Sequence, residues 1–160
     1  MFKPNNVFLH HDGKTVKIGD FGIAKIMQHT AQLMYTKTAI GVPAYQAVEL
    51  LQIRATYTTS VDIWALGCIL YELIHYDKLF VNDTKVGHPA VLMGMLIEKI
   101  RKHEHQPINE SCPAKIREII LKCVDPEPTK RPTILELLDE SIDLKMTLDQ
   151  EANERDEDFG

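Results

Sequence analysis

The stretch "SVDIWALGCILYELI" (residues 60–74) limits this chain more than any other. Asp62 and Glu72 are its only charges, and apolar residues recur at every angle around a 3.6-residue period. A helix of that kind has to be covered all round in a folded protein. Other elements must therefore gather about one central helix, with Ser60 as the expected N-cap.

The rest of the chain supplies candidates for that cover. A helix is expected from Pro89 to about Lys102. Another starts at Ser111-Cys112-Pro113, with Ile116, Ile119, Ile120 and Cys123 on one face. A fourth opens at Thr133, where Glu136 three residues on completes a capping box, and its stripe is Ile134, Leu137, Leu138 and Ile142. The end, "DQEANERDEDFG", is acidic and aperiodic and reads as a solvated tail or linker. From residue 20 to about 50 no period is sustained. A segment of that length inside a compact domain is usually functional or disordered.

At 160 residues the chain is one domain in size and could bury roughly 70% of its unfolded surface. Its net charge of −5 argues against nucleic acid as a partner, since phosphate binding wants a basic face. Cys68, Cys112 and Cys123 lack CxxC spacing and read as reduced, buried thiols of an intracellular protein. No signal peptide opens the chain and no apolar run approaches the length of a membrane span, so none is expected.

Near the start, "NVFL" and "VKI" flank "HHDGKT", and Asp12-Gly13 is a two-residue hairpin signal. That turn sets Leu9 opposite Val16, Val7 opposite Ile18 and Asn6 opposite Gly19, with Asp20 next. Paired strands lie about 4.8 Å apart. An Asn amide and an Asp carboxylate then leave the same end of one hairpin, within reach of one ion. Mg²⁺ takes a few hard oxygen ligands and completes its shell with water and phosphates. The plainer reading is that both residues simply flank strands.

The wider pattern adds to this. "KPNN" (3–6) and "VKIGDFGIAK" (16–25) resemble the catalytic-loop and magnesium-binding segments of eukaryotic protein kinases. In order after them, "GVPAYQAVE" (41–49) looks like the end of an activation segment. "DIWALGCILYEL" (62–73) resembles the kinase's central helix, and "DPEPTKRPT" (125–133) the stretch whose Arg pairs with the activation-segment Glu. Within the family, "NVFL" and "KIGDFGIAK" look most like the NIMA-related serine/threonine group. The resemblance implies a protein-kinase-like fold, C-terminal lobe only: mainly α, with a small β-hairpin at the N-terminus. Residues 1–146 would be a partial kinase domain and 147–160 an acidic tail. On this reading the chain enters midway through a catalytic loop, without the N-terminal lobe.

By that resemblance, Lys3 would contact the transferred phosphate, and Asn6 and Asp20 would hold Mg²⁺ on the phosphates of ATP. Phe21 would pack inward after Asp20, with Gly22 completing the motif. Glu49 and Arg131 would form a buried ion pair, which is scaffold rather than chemistry. Asp62 would accept hydrogen bonds from catalytic-loop backbone. Thr38 matches an activating phosphosite, with Lys25 placed to meet the phosphate; the plainer reading is an unmodified threonine. Partners would be protein substrates or partner kinases, in the cytoplasm or on the cytoskeleton.

Two positions depart from the pattern. The proton-accepting Asp falls at Met1, and Val42 stands where these kinases place a Thr whose hydroxyl bridges that Asp and the Lys. The alternative to an enzyme is thus a pseudokinase-like binding module, docking through the 89–102 helix and the loop before it. A truncated product with no role of its own is the third reading. Elsewhere, His103-x-His105 has no third ligand in sight and reads as a solvated helix end. His10 and His11 read as exposed turn residues, and Trp64, Cys68 and Cys123 as core.

Overall fold

The computed structural model describes residues 2–19, 43–51, 58–83 and 87–157. A hairpin comes first, β1 (Val7–Leu9) against β2 (Val16–Ile18), preceded by a single 3₁₀ turn at Pro4–Asn6. Four helices follow: α1 (Ser60–His75), α2 (Pro89–Arg101), α3 (Ala114–Cys123) and α4 (Ile134–Glu157). Short 3₁₀ turns at Pro43–Tyr45, Val48–Leu51 and Pro128–Lys130 connect them. This is the mainly helical body with one small hairpin that the sequence implies.

The strands pair antiparallel with Val7 opposite Ile18 and Leu9 opposite Val16, the expected register. The turn differs. His10 and Thr15 close the ladder, and residues 11–14 form the loop. The Asp12 carboxylate is the cause: it accepts from the Lys14 and Thr15 amides, both at 2.8 Å, and from the Thr15 hydroxyl at 2.6 Å. Gly13 takes φ +66°, open to glycine at no steric cost. Two extra loop residues shift the pairing by an even number, so the register survives.

In the body, α1 is the axle. Trp64, Cys68 and Ile69 of α1 are buried with Leu96 and Ile100 of α2, Ile120 of α3, and Leu79 and Phe80 of the α1–α2 loop. Trp64 stacks on Phe80 with ring centroids 5.5 Å apart. Helices α1 and α3 touch most closely at Gly67, where a Cβ would lie 2.7 Å from Cys123 Cβ and 2.8 Å from Val124 Cγ1. The cover of α1 is incomplete, however: Leu66 and Leu70 are half-buried and Leu73 is 67% exposed. No described element lies over that stripe.

The helix ends follow local chemistry. Ser60 is inside α1 rather than capping it; its hydroxyl pairs with that of Thr58, and Thr59 is the residue before the helix. Pro89 opens α2 without needing a donor, and His88 Nδ1 accepts from the Ala90 amide at 3.3 Å. At α4 the capping box forms, with Thr133 N donating to Glu136 Oε2 at 2.7 Å and Glu136 N to Thr133 Oγ1 at 3.3 Å. Helix α4 then runs on to Glu157, through a stretch expected to be aperiodic. Gln, Glu, Ala and Arg are good helix formers, and Glu151 and Arg155 stand four apart in the favourable order, so the backbone carries the helix without an apolar stripe.

Candidate active site

The Lys3–Asn6 segment is built by backbone economy. Pro4 occupies the first position of a single 3₁₀ turn, where no donor is required, and the Asn6 amide closes the turn on Lys3 O at 2.9 Å. Lys3 itself is extended and half-buried. Asn6 is buried at the foot of the hairpin, and its carbonyl accepts from Gly19 N at 2.8 Å. The ladder thus continues one pair below the strands, and Asn6 faces the residue just before Asp20. Phe2 packs against the main core, anchoring this end.

Asp20, Phe21, Gly22, Lys25, Thr38 and Val42 lie outside the described residues, as does Met1. The Asn6–Asp20 pair is therefore seen from one side. Among the described residues no group of three or more His, Cys, Asp or Glu side chains could hold a metal.

Glu49 and Arg131 are brought together. The guanidinium donates through Nη1 to Oε1 at 2.7 Å and through Nη2 to Oε2 at 2.8 Å. Its Nε donates to Asp125 O at 2.8 Å and its Nη1 also to Ser60 O at 3.0 Å. Its Cζ lies 4.9 Å from the Trp64 ring centre. One buried side chain thus joins the 48–51 turn, the start of α1 and the segment before α4. An Arg fork meets a carboxylate with two parallel bonds, which a lysine cannot reproduce.

Asp62 behaves otherwise than expected. It is exposed, and it accepts nothing from the described catalytic-loop backbone. Of the donors there, Asn6 N is already spent on Lys3 O, and Pro4 has none. In the first turn of α1 the carboxylate still meets the positive end of the helix dipole.

The histidines also differ. His103 is half-buried, with Nε2 2.6 Å from Val124 O and its ring edge-on to Trp64 and Phe80. Burial pushes its pKa down, partly offset by the bond to Val124. The "solvated helix end" is thus a tertiary plug, which α2 ends by placing His103 at φ +57°. His10 is half-buried and His11 exposed. Cys68, Cys112 and Cys123 are free and buried, and burial pushes the Cys123 thiol up to about 12.

A contact the motif reading missed joins Tyr45 to Glu72, hydroxyl to carboxylate at 2.6 Å. Burial first, and Glu72 second, push the phenol pKa well above its usual value. The only clue in the sequence was a charged residue at 72 within an otherwise apolar helix.

Comparison with known proteins points one way. The family model described as "Protein kinase domain" matches residues 2–142. The G2-specific protein kinase nimA of Emericella nidulans is 32% identical over 94% of this chain and 20% of its own length. Serine/threonine-protein kinase Nek2 of Homo sapiens is 34% identical over 93% of this chain and 31% of its own. Nek8 of Danio rerio is 33% identical over 91% and 19%. The chain spans between a fifth and a third of the length of these relatives.

Proposed function

Because the chain belongs to the protein kinase family, with NIMA-related serine/threonine kinases among its relatives, we propose that it is the C-terminal-lobe part of a kinase that moves the γ-phosphate of MgATP to hydroxyls of protein substrates. The observation that carries this reading is the hydrogen bond from Gly19 N to Asn6 O at 2.8 Å. It holds Asn6 at the foot of the hairpin beside the residue that precedes Asp20. An amide oxygen and a carboxylate are hard donors in the number Mg²⁺ accepts when phosphates and water complete its shell, so the donor set fits that ion.

In this reading Lys3 reaches the transferred phosphate and offsets charge that builds up on it. Asn6 and Asp20 orient the nucleotide through the metal, which supplies charge neutralisation. Phe21 and Gly22 set the position of Asp20, and a phosphate on Thr38 orders the segment before Glu49. The Glu49–Arg131 clasp holds the far end of that segment to α1. Among the described residues no helix is long and apolar enough to cross a membrane.

These 160 residues contain no glycine-rich phosphate loop and no His-Arg-Asp. The polypeptide alone is therefore expected to transfer no phosphate above an Asp20→Ala control. Val42 in place of a hydroxyl supports the second reading, a binding module without catalysis. A hybrid decides between them: this chain joined to the N-terminal lobe of human Nek2, with an Asp at position 1. The enzyme reading expects phosphorylated protein Ser or Thr, with Lys3→Met and Asp20→Ala each cutting the rate at least about 100-fold. A hybrid that binds MgATP but transfers no more than its Asp20→Ala form overturns it in favour of the binding module.

A further inference from the structure

Between α2, the α1–α2 loop and the 43–45 turn runs a groove of about 440 Å³, lined by Ala44, Phe80, Asn82, Leu92, Met93 and Leu96 among others. Its wall is mostly apolar and holds one unsatisfied group. Asn82 Nδ2 donates to Leu92 O at 2.8 Å. A carbonyl can only accept, so this bond fixes which end of the amide is nitrogen and leaves Oδ1 as the other. That Oδ1 is buried and has no hydrogen-bond partner. Buried acceptors are nearly always paired, and one left open is costly. The neighbouring Asp83 engages Lys99 at 2.6 Å, so that ammonium is already committed.

We propose that this groove binds an extended peptide segment, which seats one bulky apolar side chain against Leu92 and Met93 and donates a backbone N–H to Asn82 Oδ1. An unpaired carbonyl-type acceptor calls for a donor and offers nothing to an anion. Apolar walls call for an aliphatic or aromatic side chain beside that donor. An extended peptide carries both within one residue, and main-chain hydrogen bonds with side-chain pockets are the usual means of holding such segments. The inference rests on reading this lobe as one that takes up protein, and it does not depend on phosphate transfer.

The test is an NMR titration of the ¹⁵N-labelled chain, without nucleotide, using the capped peptide Ac-Ala-Ala-Leu-Ala-Ala-NH₂. Two further versions are N-methylated, one at Leu and one at the following residue, which removes a single N–H each. Expected are shifts at Asn82, Leu92, Met93 and Ala44, and about tenfold weaker binding for one N-methylated version. Met93→Glu should abolish binding, and Asn82→Leu should erase the difference between the versions. Equal affinity of all three peptides for the native chain overturns the proposal, whether or not either variant folds. So do shifts confined to other surfaces, or none up to about 10 mM peptide. Failure of the Nek2 hybrid to transfer phosphate leaves this result standing, and loss of groove binding leaves the hybrid's result standing.

Discussion

The hairpin and the helical body of this chain are held by different means. In the hairpin, Phe8 is 54% exposed, Leu9 66%, Val16 58% and Ile18 50%, so neither face is packed. Its order comes from the ladder, the Asp12 cap and the burial of Asn6 at its foot. A two-stranded hairpin with so little cover is marginal by itself. In the body, Trp64, Phe80, Ile100 and Ile120 are fully buried, and the Arg131 guanidinium binds three segments at once. The difference teaches that the segment carrying Lys3 and Asn6 is the loosely held part, while the scaffold around α1 is the tightly held one. Chemistry-bearing residues sit where local bonds rather than packing decide the geometry.

The largest expected effect comes from breaking the clasp in the body. Arg131→Ala leaves the Glu49 carboxylate without its fork and frees the Asp125 and Ser60 carbonyls. Removing one partner of such a pair costs about 3–5 kcal/mol, against about 5–15 kcal/mol for a whole domain. Denaturant unfolding should lose most of its midpoint, and Arg131→Lys should recover only part of it. A variant as stable as the parent would show that the body does not depend on the clasp.

A smaller loss is expected from Gly67→Ala. The added methyl meets Cys123 Cβ and Val124 Cγ1 at under 3.0 Å, and neither is the far end of a flexible chain. Forced overpacking of this kind costs about 1–3 kcal/mol. The shift should appear in the unfolding of α1 and α3 and leave the hairpin amide spectrum unchanged.

The smallest effect sharpens the other side of the comparison. Hydrogen bonds from the Thr15 hydroxyl, then the Thr15 and Lys14 amides, hold the Asp12 carboxyl at about 2, below its ordinary 3.8. A depressed folded pKa means the cap's contribution is complete above 3.8 and is lost as pH falls through about 2. The Thr15 amide resonance should titrate near pH 2, and Asp12→Ala should alter only residues 10–15. If the melting of the body moved with it, the two regions would not be independent.

The body was legible in the sequence because its signals are local and repeated. The apolar run of α1, the Pro89 start of α2, and Thr133 with Glu136 at α4 each mark an element within a few residues. The strand register was legible because it depends only on parity, which is why a wrong turn length did no harm. What escaped depends on distant partners. His103 looks solvated beside "KIRKHEH" and is capped by Trp64, Phe80 and Val124 O. Asp62 looks like an acceptor for the catalytic loop, yet the described donors there are spent or missing. The helix to Glu157 shows propensity carrying a helix where no apolar period announces one. Of the candidate site, Lys3 and Asn6 are located, and Asp20, Phe21, Gly22 and Thr38 are named by pattern alone.

Amide hydrogen exchange on the 160-residue chain tests the contrast most directly, because it reads local stability residue by residue. The amides of residues 64–71 in α1 and 119–123 in α3 should exchange slowest. Those of Val7–Leu9 and Val16–Ile18 should exchange about 100-fold faster or more, since they open without unfolding the body. Hairpin amides as slow as those of α1 would contradict the account, by showing that the segment carrying Lys3 and Asn6 is held by the same cooperative core as the scaffold.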